Sequence, residues 1–95
     1  MNWVARHRWT FISLVVTAFH ILAVWTLAIQ LWHQGIDTTS KGRVGGWIID
    51  FHIFATLCAA GIAIGGMAKE RPRGYAVAAF GIALFSFFTY LYWVA

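Results

Sequence analysis

A chain of 95 residues that is 61% hydrophobic and only 11% charged has too little polar surface to cover its apolar side chains in water. Its excess positive charge sits at the ends of apolar runs (Arg6, Arg8, Lys69, Arg71 and Arg73) rather than along one soluble face, which argues against nucleic-acid binding. The expected class is an all-α membrane protein, a single membrane domain over residues 1–95, and its one cysteine, Cys58, has no partner for an internal disulfide.

The opening stretch, MNWVARHRW, is basic and aromatic, and the run from Phe11 to Trp32 contains no Asp, Glu, Lys or Arg. That run is longer than the apolar core of a secretory signal and ends in tryptophan. It reads as an uncleaved first transmembrane helix, about residues 10–33, with Trp9 and Trp32 at the two interfaces. Ser13, Thr17 and His20 follow one another at helical spacing and form a polar stripe on it.

Residues 33–45, HQGIDTTSKGRVG, carry the Gly, Asp, Thr and Ser of a loop. The second helix, about residues 46–68, contains the stretch WIIDFHIFATLCAAGIAIGGMA, long enough to cross a bilayer, which takes roughly 20 apolar residues. The segment MAKERPRG then makes a tight basic turn around Pro72 and Gly74. A third helix, about residues 74–94, completes three spans with short loops. Five lysines and arginines flank the amino terminus and the second turn, against Lys41 and Arg43 in the first loop. The positive-inside rule therefore predicts a cytoplasmic amino terminus and an external carboxyl terminus, in a multi-pass protein of a bacterial inner membrane.

The middle helix has two close-packing faces. Asp50, Phe54, Leu57, Gly61, Gly65 and Ala68 share one side at about 100° per residue, and His52, Ala55, Ala59, Ala63 and Gly66 share the other. Small residues let a second backbone approach, so one face is expected on the chain's own helices and the other on a partner. On the third helix Tyr75, Ala79, Ala83, Ser86, Tyr90 and Trp93 form the small-and-polar side. Phe80, Leu84, Phe87, Phe88 and Leu91 form a bulky one suited to lipid.

Counting about 1.5 Å per residue from the expected helix ends sets His20 level with Cys58 and Ser86, and His52 nearer the first loop. Gln30, Asp50, Tyr90 and Tyr92 are then expected as a buried polar cluster, with His33 and His52 close by. Asp50 is expected to serve internal packing and His52 to meet a partner or cofactor.

Cofactor chemistry turns on those histidines. Two axial ligands of one haem need similar depth, and His20 and His52 are expected roughly 10 Å apart along the membrane normal. The anchor subunits of succinate dehydrogenase share the three-span architecture, but no Asp-Tyr pair follows His52. Light-harvesting polypeptides carry a membrane histidine followed by tryptophan, as His20 and Trp25 do, yet Val16 stands where they have a small residue. No spacing suits a metal site.

The expected function is a non-catalytic accessory subunit of an energy-converting membrane complex, respiratory or photosynthetic, stabilising assembly by helix packing. Its partners would be other integral membrane subunits and lipid, with no nucleic acid. It would carry no cofactor of its own, though a shared haem, quinone or pigment could lie at a subunit border, with His52 or His20 as ligand. Alternatives are a haem- or quinone-binding anchor of an oxidoreductase and a self-assembling small transporter or pore.

Overall fold

The computed structural model describes residues 2–39 and 41–94. A short helix, α1 (Asn2–Arg6), leads into α2 (Arg8–His33), α3 (Arg43–Lys69) and α4 (Gly74–Val94). The last three are each long and apolar enough to cross a membrane. With 26 residues in α2 and 27 in α3, each is about 40 Å long, more than the roughly 30 Å of a hydrocarbon core. They form an up-down-up bundle in which each of the three packs on the other two. The expected helix ranges hold, except that α2 begins at Arg8 and α3 at Arg43.

Apolar burial against lipid tails does not drive membrane helices together, so close approach of backbones must. Alanine accordingly makes up most of the apolar interior: Ala55, Ala59 and Ala63 of α3 and Ala76, Ala79 and Ala83 of α4 are all buried. The packing tightens at the arginine-rich end. A methyl group added at Gly66 would stand 3.1 Å from the Ala76 Cβ and 3.2 Å from the Trp9 Cβ. At Gly65 it would come within 2.7 Å of the Trp9 ring, so the tryptophan packs this closely on α3 only because position 65 has no side chain. Toward the other end the core becomes bulkier, with Val24, Ala28, Ile48 and Tyr90 buried together and Trp25 beside them.

The middle helix turns the His52 face inward. His52, Ala55, Ala59, Ala63 and Gly66 are buried, whereas Asp50, Phe54, Leu57, Gly61 and Ala68 are exposed. The expected assignment of Asp50 to internal packing is thereby reversed. Phe54 and Leu57 on the Asp50 side would hold neighbouring helices apart, while the other side offers alanine and glycine to both neighbours.

The loop shifts the register as well. Instead of capping the bundle symmetrically, it folds back beside the first turn of α3. Thr38 is buried, and any side chain at Gly45 would collide with the backbone of Thr38 and Thr39. The result sets Ser13 opposite Ala59 and His20 opposite His52. His20 thus meets His52 rather than Cys58, a shift of six residues, or about 9 Å.

Candidate functional site

Two buried polar clusters occupy the bundle. The first lies midway along the helices, where the stripe Ser13, Thr17 and His20 turns wholly inward. The Ser13 hydroxyl donates to the Ala59 carbonyl at 2.8 Å, which helps fix α2 against α3. Two turns nearer the loop on each helix, His20 and His52 face each other with 3.1 Å between His20 Nε2 and His52 Nδ1. The remaining ring nitrogens meet backbone carbonyls: His20 Nδ1 lies 3.1 Å from Val16 O and His52 Nε2 lies 3.4 Å from Phe87 O. Phe87 stacks on the His52 ring and Tyr90 meets it edge-on. His52 is completely buried and His20 nearly so.

The tautomers of the two rings set which of these contacts are hydrogen bonds. A carbonyl only accepts, and a neutral imidazole has one N–H. Two neutral rings therefore bring two protons to three hydrogen-bonding positions. Both shorter contacts are hydrogen bonds when His20 Nδ1 donates to Val16 O and His52 Nδ1 donates to His20 Nε2. The contact then left without a proton is the longest one, His52 Nε2 with Phe87 O. The pair is thus an interhelical link between α2 and α3.

The same geometry rules out one haem iron between these two side chains as they stand. Axial imidazoles lie on opposite faces of a porphyrin that separates them, whereas here the rings are 5.0 Å apart between centroids and bonded to each other. Among the described residues no three His, Cys, Asp or Glu side chains converge.

The second cluster is built around Glu70, which follows the last residue of α3 and is buried. Helices leave their first amide groups without intrahelical acceptors, and His7, the residue preceding α2, makes no side-chain cap. The Glu70 carboxylate supplies the cap from a different helix. It accepts from the Trp9 N–H at 2.6 Å and the Thr10 N–H at 3.4 Å, and from the Thr10 hydroxyl at 2.6 Å. His7 Nδ1 stands 3.5 Å from it, and the His7 ring is packed between Trp3 and Tyr75. Burial raises the affinity of this carboxyl for a proton. The hydrogen bonds from Thr10 and Trp9, and the nearby His7, outweigh burial and hold it below its ordinary value of 4.5. The helix dipole adds to the preference for negative charge.

Several residues fall elsewhere than expected. Gln30 and Asp50 are exposed and Tyr92 almost fully so, which leaves Tyr90 as the one buried member of the expected polar cluster. Cys58 points outward, as does His33. Of the two expected ligands, His20 and His52 are both buried and paired with each other. Of the expected packing residues, Ala55, Ala59, Ala63 and Gly66 lie inside, Gly65 supports Trp9, and Gly61 opens outward, with nothing within 4 Å of where a Cβ would stand. Glu70, Thr10 and His7 were missed; the signal for them was a lone acid among the cations of the 69–73 turn.

Between the two clusters the buried hydroxyls of Thr10, Ser13, Thr17 and Thr56 continue the polar row. It ends at His52 and Tyr90, beyond which the core is Val24, Ala28 and Ile48. No family model, curated protein or solved structure matches the chain.

Proposed function

We propose that this chain is a small, non-catalytic accessory subunit of a larger membrane complex, docked through the outward face of α3. The observation that carries it is the exposure of Asp50. Asp50 lies seven residues into α3, about 10 Å along the helix from Arg43. A carboxyl at membrane depth is costly unless it is paired or reaches water, and no hydrogen bond within the described residues holds it. Gly61, three turns along the same side, offers a place for a second backbone to approach. The occupant that fits is a helix of another subunit, with a cation or hydrogen-bond donor opposite Asp50 and a small side chain opposite Gly61. A parallel pair of identical chains would bring the two Asp50 carboxylates together, which opposes self-association.

In this proposal the arginine-rich end faces the cytoplasm of a bacterial inner membrane, on the count of five cations against two. The parent complex is an energy-converting one. A cavity of about 390 Å³ between α2 and α3, lined by Val24, Leu27, Trp47, Ile48 and Phe51, favours a second version in which a quinone or pigment lies at the subunit border.

Purification of the native protein in mild detergent tests both. Integral membrane proteins should co-purify with the wild type and be lost from Asp50→Leu and Gly61→Leu, while the chain itself remains inserted. Recovery of the chain alone, or as a homo-oligomer, would overturn the subunit assignment. A quinone or pigment extracted from the complex, and lost on Phe51→Ala, would establish the second version.

A further inference from the structure

We infer that the arginine-rich end binds one anionic phospholipid, with its phosphate among Arg6, Arg8 and Lys69 and an acyl chain in the adjoining groove between α2 and α3. Two neighbouring cavities carry the inference. The first, about 330 Å³, is lined by Ala5, Arg6, Arg8, Trp9, Lys69 and Glu70. The second, about 270 Å³, is lined by Arg8, Trp9, Ile12 and Ile62. They share Arg8 and Trp9, so a polar recess opens directly onto an apolar groove.

That sequence of surfaces matches an amphiphile. Its charged head would meet three cations, and its chain would follow Ile12 and Ile62 along the bundle. Arg6, Arg8 and Lys69 are exposed, and none of the hydrogen bonds or ion pairs among the described residues engages their side chains. Glu70 is the one acid in the recess, but its carboxylate is turned toward Trp9, Thr10 and His7, so the cations outnumber an already capped charge. Trp9 is held against Gly65 at the junction of the two cavities, where an indole suits the boundary between headgroup and acyl chain. Cations in such positions attract anionic headgroups. The opposite end carries only Lys41 and Arg43, and the cavity of about 390 Å³ there is lined by apolar side chains.

The test uses the full chain in mild detergent, with native mass spectrometry to count bound lipid and thermal unfolding to measure its effect. Phosphatidylglycerol should be retained at one per chain and raise the unfolding midpoint, and phosphatidylcholine with the same acyl chains should do neither. Arg8→Gln and Lys69→Gln should each weaken phosphatidylglycerol retention about fivefold, and Arg6→Gln serves the same purpose if either fails to fold. Lys41→Gln should leave it unchanged. Ile62→Trp, which fills the groove, should weaken retention while the recess stays intact. Equal retention of the two lipids, or indifference to all three cation substitutions, would overturn the inference. Inorganic phosphate or glycerol phosphate reproducing the midpoint shift at similar concentration would also overturn it, since the site would then be one for a free phosphate.

Discussion

The two buried polar clusters differ in which backbone groups surround them. Glu70 stands at the start of α2, where amide N–H groups lack partners, and it gathers donors from Trp9 and Thr10. His20 and His52 stand in the middle of their helices, where amides are engaged and the available groups are the Val16 and Phe87 carbonyls. One environment suits a negative charge. The other offers backbone acceptors to neutral ring N–H groups. Position along a helix thus determines whether a buried side chain meets backbone donors or acceptors.

Removing the carboxylate should break the first cluster most severely. Glu70→Leu leaves two amides and the Thr10 hydroxyl buried without an acceptor, and each such orphan costs about 1–3 kcal/mol. A loss of about 3 kcal/mol is expected in reversible unfolding from detergent, allowing for some access of water. Glu70→Gln retains one acceptor oxygen and should recover part of it. If Glu70→Leu is as stable as the wild type, the carboxylate does not cap α2.

The histidine pair should respond less. Hydrogen bonds between membrane helices contribute about 0.6 kcal/mol on average and at most about 1.7. His20→Leu and His52→Leu should each destabilise the bundle, and the double variant should fall short of their sum by about 1 kcal/mol. Strict additivity would mean that the two rings do not interact. Nitrogen NMR sharpens the same point: replacing either histidine by Leu should shift the facing ring nitrogen of the other, His20 Nε2 or His52 Nδ1.

Much of this arrangement could be read from the sequence, and the part that could not has identifiable causes. The three spans follow from apolar length alone, and the Ser13, Thr17 and His20 stripe follows from helical spacing. The pairing of His20 with His52 does not, because it depends on how the loop folds back over Gly45, a tertiary contact. The inward turn of α3 was ambiguous because both faces carry small residues. A carboxyl at Asp50 suggested burial, yet the bulk of Phe54 and Leu57 beside it decides otherwise. Glu70 lay within a turn whose basic residues gave it an exposed character.

Acid should distinguish the clusters further. The Glu70 carboxyl is held below its ordinary value of 4.5, so its contribution to stability is fully present above that pH. It is lost as the pH falls through the lower value of the folded state. Unfolding midpoints should therefore decline below about pH 4.5. Glu70→Gln should flatten that decline, while His52→Leu should leave it in place. A decline unchanged in Glu70→Gln would assign it to the exposed carboxyls instead.

The smallest effects belong to the outward face of α3. Asp50→Asn preserves size and most hydrogen-bonding capacity at an exposed position, and substitutions at exposed positions usually stay within about 0.5 kcal/mol. Gly61→Leu should be equally mild in the isolated chain, because nothing lies within 4 Å of the position its Cβ would occupy. Ala63→Leu is the internal counterpart: Ala63 is fully buried, and overfilling a packed core costs about 1–3 kcal/mol. Measured in detergent on the chain alone, Ala63→Leu should lower the unfolding midpoint while Gly61→Leu and Asp50→Asn barely move it. If Gly61→Leu proves as damaging as Ala63→Leu, both sides of α3 are internal, and the face proposed for a partner is already occupied by the chain's own helices.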